Sequence, residues 1–450
     1  MVEFEKRGVP TVSFTAQGFV RDAHRSAENF GLPQLPIAVS SAPFTNQSPE
    51  AIRSLVDGCF DQVLAGLTRD ISKEKPKSEI TIVDEDWLTF DGDDLLDATE
   101  RMNATYLEYA WSDGFPLRPA TEQQMERMLS GTKRDPQSVV AVLEPGFGVA
   151  TVEKIAANAV MAGCRPEHLP VLIAATELLA EPKMYLRNKA MSTGPHAPLL
   201  LINGPIRKRV GYNSGICTLG PGAPSYSNSV TGRALRLIMM NCGHTYPGIS
   251  DMDTVGSPTK YAMCAAENEE ESPWSAYHVE QGFDRDTSTV TLYFCYSMCE
   301  LYDFMNYEVS KLTDGFAQAA TNVGQVPTGR WLIGRRADPR AGTEEKENHF
   351  VFVCPDHAAI FQRAGWSKED LRQALFKKAR LPFRTLMLKT PYKAMAGPHP
   401  ELTWLYDSPD AMVPVLEDPD CFKIVVVGGS AGRGALFYGA GEPITKAIEE

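Results

Sequence analysis

The apolar run Pro198-Leu199-Leu200-Leu201-Ile202 stops at Asn203-Gly204-Pro205, and it opens the stretch around which the chain is organised. A polar, glycine-rich segment follows at residues 211–222, and amides, carboxylates, imidazoles and thiols are frequent from there to residue 283. A segment that only packs has no need of so many such groups, whereas loops on a rigid scaffold collect binding and catalytic residues. We therefore expect residues 196–283 to hold much of the functional site, at the edge of a sheet.

The N-terminal part of the chain alternates between predicted strands and predicted helices. Residues 9–15 and 36–40 are expected to be strands, and residues 16–30 and 48–67 are expected to be helices, the second with Ser48 as its N-cap. The order strand, helix, strand, helix favours a parallel sheet. We predict that residues 1–70 form a small parallel βαβα unit, which is a partial doubly wound domain.

A charged and polar segment at residues 71–80 predicts a linker, because it contains almost no apolar side chain and carries a proline. Residues 81–450 are expected to form a larger mixed α/β domain. Its main predicted strands are 139–143, 289–295, 331–334, 349–354 and 422–427, and its main predicted helices are 151–161, 166–179, 298–320 and 367–379.

Two glycine-rich loops follow predicted strands. Gly146 and Gly148 match no phosphate-binding spacing, so a tight turn is favoured over an anion site. The loop at residues 428–434 follows a β-branched strand, and such loops bind ligands at the carboxyl ends of strands in open α/β sheets. We expect this second loop to lie near the site.

Composition excludes several classes of protein. The 450 residues are 43% hydrophobic and 22% charged with a net charge of −13, so there is no basic surface for nucleic acid or anionic lipid. The sequence contains no signal peptide and no apolar run long enough for a membrane span, which predicts a soluble cytoplasmic protein. Nine cysteines without a Cys-x-x-Cys pair indicate reduced thiols.

Imidazole and carboxylate side chains within residues 196–283 are the candidates for acid-base catalysis. Because histidine titrates near neutrality, we expect His244 or His278 to act as acid or base, with Glu267 orienting or sharing the proton. Glu280 is a further candidate. No metal is predicted, since no His-x-x-x-His or His-Glu-x-x-His spacing is present, and no motif requires a cofactor.

Amide, imidazole and backbone groups around these residues are expected to hold the oxygen atoms of a substrate. Asparagine is also a favoured residue in turns and caps, and that role is the alternative. The predicted substrate-binding residues are His196, Asn203, Asn213, Asn228, Gly428, Gly429 and Gly432.

Five thiols are candidates for redox or nucleophilic chemistry. Cys295 and Cys299 are predicted at the end of a strand and the start of a helix, where a thiolate is favoured. Cysteine is also a common core residue, and packing is the alternative reading. The complete set is Cys164, Cys217, Cys264, Cys295 and Cys299.

Residues 2–12, together with residues 31–33 and 48–50, resemble the second half of the domain of the UGSC-motif (seleno)proteins. Residues 111–116, 151–155, 160–167 and 267–283 resemble the larger region that accompanies that domain. The family is named after a selenocysteine or cysteine followed by Gly-Ser-Cys, which implies thiol or selenol redox chemistry or nucleophilic chemistry. In that family the motif stands just upstream of the strand at Gly8. Residues 1–7 of this chain do not contain it, so no residue of this chain is expected to take its role.

These observations predict an enzyme or enzyme subunit that acts on a small polar organic molecule by acid-base or thiol-assisted chemistry, as an oxidoreductase or a lyase. One alternative is a non-catalytic partner subunit of a chain that bears the thiol or selenol. Another is a thiol oxidoreductase that uses Cys295 and Cys299. The expected assembly is a homo-oligomer or a heteromer with a motif-bearing subunit.

Overall fold

The structure is a computed structural model that describes residues 1–44, 47–71, 87–322, 337–338, 343–344, 346–387 and 400–449. The predicted strand at 331–334 and all but the first residue of the predicted linker lie outside the described residues. Across the described parts of the chain, every helix is too short or too polar to cross a membrane.

The N-terminal unit is built on two parallel strands, as predicted. Ser13 to Ala16 pair in register with Ile37 to Ser40. The hydroxyl of Ser48 accepts a hydrogen bond from Ala51 N, which confirms the predicted cap. The single helix predicted at 48–67 is wrong, because the chain breaks into two helices around Gly58. The elements are α1 (Val2–Glu5), β1 (Ser13–Ala16), α2 (Val20–Asn29), β2 (Ile37–Ser40), α3 (Pro49–Asp57) and α4 (Phe60–Thr68).

The larger domain contains the remaining helices and strands. They are α5 (Leu95–Glu108), α6 (Glu122–Leu129), β3 (Val139–Leu143), β4 (Gly148–Thr151), α7 (Val152–Ala162), α8 (Leu169–Leu179), α9 (Leu186–Ala190), β5 (Ala197–Asn203), α10 (Ile206–Val210), α11 (Tyr226–Asn241), β6 (Cys264–Ala266), α12 (Tyr277–Glu280), β7 (Thr289–Tyr302), α13 (Val309–Ala320), β8 (Ala337–Asp338), β9 (Thr343–Glu344), β10 (Glu347–Val353), α14 (Pro355–Arg363), α15 (Lys368–Lys378), β11 (Arg380–Pro382), α16 (Phe383–Met387), β12 (Met412–Pro414), β13 (Phe422–Val426), β14 (Arg433–Ala440) and β15 (Ile444–Ala447).

One seven-stranded sheet organises this domain. Its strand order is β13-β10-β14-β7-β5-β6, and β15 pairs with β7. The outer pairs β10–β13 and β5–β6 are parallel, whereas β7 and β14 run antiparallel to their neighbours, so the sheet is mixed. The fold is therefore α/β, with a small parallel unit followed by a larger mixed domain, as the sequence predicted.

The sheet curls until its two edges approach each other. Just past the edge strand β6, Asn268 N donates a hydrogen bond to Val426 O, at the end of the opposite edge strand β13. Alternate residues such as Leu201, Ala265 and Phe437 form a core that this curled sheet encloses. Residues of the other face pack against α7, α8 and α11 at one end and against α13, α14 and α15 at the other.

One prediction about local structure requires correction, and another is confirmed. The helix predicted at 298–320 begins only at Val309, because β7 continues to Tyr302 and pairs with β14. Residues 297–302 alternate between more and less buried positions, which is the pattern of a half-buried strand. At residues 144–148 the chain makes the turn of the β3–β4 hairpin, which confirms the tight turn that was favoured for Gly146 and Gly148.

Candidate functional site

Three buried polar residues meet where neighbouring strands of the curled sheet begin or end. Asn203 is the last residue of β5, Glu267 directly follows β6, and Thr289 is the first residue of β7. Because β5 and β6 are parallel, their ends lie at the same edge, and Asn203 is the register partner of Thr289. Side chains of a strand point alternately to the two faces of a sheet, and this alternation places all three residues on the enclosed face.

Glu267 is the centre of this group. Its Oε2 accepts hydrogen bonds from Asn203 Nδ2 at 2.5 Å and from Tyr277 N at 2.7 Å. Its Oε1 has no hydrogen-bond partner among the described residues, and Lys368 Nζ lies 3.9 Å away. The residue is fully buried, and burial raises the pKa of its carboxyl group although Lys368 and the two donors lower it. The Glu267 carboxyl group therefore releases its proton less readily than an exposed glutamate does.

A buried guanidinium holds the glutamates that follow Glu267. Arg207 donates to Glu267 O at 2.8 Å and to both carboxylate oxygens of Glu270 at 3.1 Å, and it lies 2.8 Å from Glu269 Oε2. The hydrogen bonds from Arg207 lower the pKa of Glu270 to about 2. Two carboxyl groups three residues apart therefore have pKa values shifted in opposite directions, which is the usual arrangement of a proton donor beside an ionised group.

His278 and Glu280 extend the cluster from α12. His278 is fully buried, with Nε2 3.2 Å from Arg285 O and Nδ1 3.9 Å from Glu269 Oε1, which is too long for a hydrogen bond. Glu280 forms ion pairs with Lys368 at 3.2 Å and with Arg372 at 3.0 Å. Two cations thus engage the Glu280 carboxylate, which helps to hold Lys368 beside Glu267.

The cluster concentrates buried polar atoms without partners. Native proteins satisfy nearly all such atoms, so a group of them in one place calls for an explanation, and a ligand is one. Among the described residues of this cluster, the buried atoms that lack a hydrogen-bond partner are Asn203 Oδ1, Arg207 Nε, Glu267 Oε1, Tyr277 Oη, His278 Nδ1 and Thr289 Oγ1.

Lys368 and Arg207 belong to the cluster but were not identified from the sequence. Lys368 is the first residue of α15, a hundred positions beyond Glu267, and nothing in its local pattern distinguishes it from a solvated lysine. Arg207 lies in the basic segment 206–209, which resembles an exposed helical turn. Only the folded chain brings these cations to the glutamates.

His244 lies in a different part of the molecule. Asn228, near the start of α11, donates to Cys264 O beside the cluster, whereas His244 follows the far end of the same 16-residue helix, about 24 Å away. Its Nδ1 lies 3.1 Å from Arg25 Nη2 on α2. Burial, followed by the nearby Arg25, lowers the pKa of His244 to about 4. The prediction that His244 joins Glu267 is therefore wrong.

Three other predicted substrate-binding residues are used within the protein. His196 precedes β5, at the end opposite Asn203 and about 23 Å from it along the strand. Asn213 Nδ2 donates to Ile216 O and Ser225 Oγ, and its Oδ1 accepts from Gly215 N. Asn228 Oδ1 accepts from Asn213 N. Asn213 and Asn228 fix the loop after α10, and their side-chain amides are engaged within the protein.

The glycine loop at 428–434 contacts the cluster only at its first residue. Gly428 O accepts from Asn268 Nδ2, and Gly428 N donates to Ser214 O. Gly429 packs so closely on Ile216 that a Cβ would lie 2.2 Å from its Cγ1. Gly432 lies further along, where its N donates to Asp356 Oδ2. The loop therefore holds neighbouring segments together, in place of the ligand contact that was predicted.

The predicted thiols do not form a redox pair. Cys295 and Cys299 both lie within β7, four residues or about 13 Å apart, whereas Cα atoms of a disulfide are about 4.4–6.8 Å apart. Burial raises the pKa of Cys295 to about 12. Cys164 and Cys264 are buried and their pKa values are raised as well, while Cys217 is exposed. The premise of a helix N-terminus at Cys295 is wrong, since the helix begins at Val309.

Comparison with known proteins gives one match. The model of the UGSC family matches residues 1–69. Neither the curated proteins nor the solved structures include a match to this chain. The matched residues include β1, β2 and the helices that follow each of them. The first 69 residues of this chain therefore form a UGSC-like domain.

Proposed function

We propose that this protein is an enzyme that acts on a small polar organic molecule by acid-base chemistry at the Glu267 cluster. The observation that carries the proposal is the group of buried oxygens without partners, Asn203 Oδ1, Glu267 Oε1 and Thr289 Oγ1, on neighbouring strand ends. Buried polar atoms without partners lower the stability of a protein, and function is a common reason why they are retained.

The roles follow from the contacts. Because burial raises its pKa, Glu267 keeps its proton to higher pH than an exposed glutamate does, and in the protonated form it donates through Oε1 to a substrate oxygen. Asn203, through Oδ1, and Thr289, through its hydroxyl, bind hydrogen-bonding groups of the same molecule. Lys368, 3.9 Å from Oε1, stabilises the carboxylate that remains after transfer. A molecule with oxygens on adjacent carbons, such as a hydroxy acid, suits this row of donors and acceptors.

Two isosteric substitutions on one strand test the proposal. Thr289→Val removes a hydroxyl that has no partner, so we expect the free energy of unfolding to stay constant or rise by about 1 kcal/mol. Thr291→Val, two residues along the same face, breaks the 2.8 Å contact between the Thr291 and Thr445 hydroxyls and is expected to cost about 1 kcal/mol. Urea unfolding of both variants measures these changes.

The same pair distinguishes binding from packing. The purified wild-type protein is incubated with panels of small hydroxy acids, oxo acids and amides, and their consumption is followed by mass spectrometry. We expect Thr289→Val to weaken the apparent affinity for the consumed compound about tenfold, the usual effect of one hydrogen bond, and Thr291→Val to leave it unchanged. Equal stability losses in both variants, with turnover unaffected, would contradict the proposal.

A second candidate function rests on the surface of the N-terminal unit. The parallel sheet of the N-terminal unit has only two strands, β1 and β2. Parallel sheets are normally covered on both faces by other elements. Helices α3 and α4 expose an apolar stripe, which consists of Val56, Phe60, Leu64 and Leu67, with exposed fractions of 40%, 60%, 54% and 41%. Such a stripe favours a subunit that docks onto a polypeptide bearing the UGSC motif.

Native mass measurement tests this second candidate. If the stripe docks onto a motif-bearing polypeptide, the chain alone is monomeric, and it forms a heteromer when co-expressed with such a polypeptide. Leu64→Asp, a change on an exposed surface, should abolish the heteromer without altering the circular dichroism spectrum. A homo-oligomer of the chain alone that Leu64→Asp dissociates would instead assign the stripe to self-association.

A further inference from the structure

A small pocket lies between the β3–β4 hairpin and the segment that joins α8 to α9, and it shares no residue with the Glu267 cluster. Its volume is about 160 Å³. Val142 and Phe147, two of the residues that line it, are 50% and 37% exposed, so the pocket opens on the surface of the protein. The acid-base chemistry proposed above does not use this pocket.

The wall of the pocket is mainly apolar. Its main apolar side chains are Val142 on β3, Phe147 in the β3–β4 turn, Leu179 at the end of α8 and Leu186 at the start of α9. An apolar cavity of roughly 150 Å³ holds one benzene molecule, whereas pockets for drug-sized ligands have roughly 300 Å³ or more. The volume therefore suits a ring or a branched alkyl group of about six carbon atoms.

Both charged side chains that line the pocket are acidic. Glu144 begins the β3–β4 turn, and Glu181 follows the C-cap of α8. The C-terminal end of α8 adds partial negative charge, because the last carbonyl groups of a helix have no partner within the helix. Among the described residues, no backbone N–H donates to Leu179 O or to Ala180 O. The electrostatic surroundings of the pocket therefore favour a cation.

The basic residues nearest to the pocket in sequence do not line it. Lys183 is exposed to solvent, and Arg187 directly follows the lining residue Leu186. The guanidinium carbon of Arg187 lies 4.3 Å from the centre of the Phe30 ring, on the N-terminal unit. Arg187 also acts on Asp22 of that unit, where its charge opposes the rise in pKa that burial causes. Neither cation therefore takes the place of a bound ligand.

Contacts with neighbouring segments hold the β3–β4 turn in place. Gly146 N donates a hydrogen bond to Gly243 O at 3.0 Å. The Phe147 ring packs edge-on against Phe30, with ring centres 5.4 Å apart. Phe147 has a φ of +54°, a conformation that persists only where the surroundings impose it and that is frequent at ligand sites. The wall that Phe147 supplies is thus formed before a ligand arrives.

We propose that this pocket binds a small organic ammonium ion, with its apolar group against the wall and its ammonium group beside Glu144 and Glu181. The volume, the apolar lining and the negative charge all agree with this class of ligand. An ammonium group has three N–H donors, and the two carboxylates and the carbonyl groups of Leu179 and Ala180 are all acceptors. A neutral molecule of the same shape lacks the charged contacts, and an anion of that shape is repelled.

Isothermal titration of the purified full-length chain with benzylamine at pH 7 tests this proposal. We expect one saturable site with a dissociation constant on the order of 1 mM or below. Benzyl alcohol has the same ring without the charge and should bind about tenfold more weakly, as the loss of a hydrogen bond to a charged group does. Benzoate should not bind. Absence of saturable benzylamine binding, or equal affinities for benzylamine and benzyl alcohol, would overturn the proposal.

Two pairs of variants at exposed positions locate the site. Val142→Trp fills the pocket from β3 and should abolish benzylamine binding, whereas Val139→Trp, on the same strand but outside the lining, should retain the wild-type affinity. Glu181→Gln removes one negative charge and should weaken binding about fivefold, whereas Glu122→Gln should not. Circular dichroism confirms that each variant is folded. Equal effects of the two tryptophan variants would assign the binding to another place and contradict the proposal.

Discussion

Replacing Arg207 with methionine is expected to lower the free energy of unfolding by about 3 to 5 kcal/mol, as the removal of one partner from a buried ion pair does. The Arg207 side chain is only 5% exposed and neutralises Glu269, which is itself only 13% exposed. Without the guanidinium, Glu269 remains as a largely buried carboxylate that no other lysine or arginine of the described residues contacts. Glu267 O also loses its donor. Urea unfolding of the variant at pH 7 measures the change.

Lys208 provides the matched control for this prediction. It is the next residue in α10, and its Nζ lies 2.8 Å from Glu270 Oε1, yet its side chain is 72% exposed. Exposed ion pairs contribute roughly 0–1 kcal/mol, so Lys208→Met is expected to change stability by less than about 1 kcal/mol. Equal losses in the two variants would mean that the position of the charge, buried or exposed, does not matter here.

The loss in Arg207→Met is also expected to depend on pH. Arg207 holds the pKa of Glu270 at about 2, below its ordinary value, so this contact contributes stability above the ordinary pKa and the contribution disappears as pH falls towards 2. The difference between wild type and variant should therefore narrow on acidification. A difference that stays constant between pH 7 and pH 3 would show that the guanidinium acts only by packing.

Local sequence signals predicted those parts of the fold that depend on a few neighbouring residues. Ser48, the predicted N-cap of α3, accepts a hydrogen bond from the first turn of that helix. A hydroxyl residue that precedes a helix accepts a hydrogen bond from a backbone N–H of the first turn, and this local contact does not depend on where the helix packs in the fold. Residues 298–302 were assigned to the predicted helix 298–320, and only their pairing with β14 makes them part of a strand.

The sequence predicted those site residues whose position is determined by the end of a strand. Asn203 and Glu267 each end an apolar run, and parallel pairing of those runs brings them together. His244 is close to Glu267 in sequence, but the two residues lie near opposite ends of α11. The direction in which that helix runs decides their separation, and local sequence does not give this direction.

Replacing Glu267 with glutamine is expected to lower kcat by about 10² to 10⁴, the usual contribution of a positioned general acid. Glutamine retains the shape of the side chain, and its oxygen can still accept from Asn203 Nδ2 and Tyr277 N, so the cluster should stay assembled. What the variant loses is the acidic carboxyl proton at the position of Oε1, since an amide N–H does not protonate a substrate. Turnover of the compound identified in the panel, measured alongside the exposed control Glu122→Gln, tests this expectation.

Stability should change in the direction opposite to activity. Burial raises the pKa of Glu267 above its unfolded value, so its stabilising contribution is complete below that unfolded value and is lost as pH rises through the folded pKa. Glutamine has no charge to lose, and Glu267→Gln should therefore become more stable than wild type as the solution is made alkaline. An inactive variant that is also less stable than wild type at pH 9 would make Glu267 a structural residue. An active variant would remove it from the mechanism.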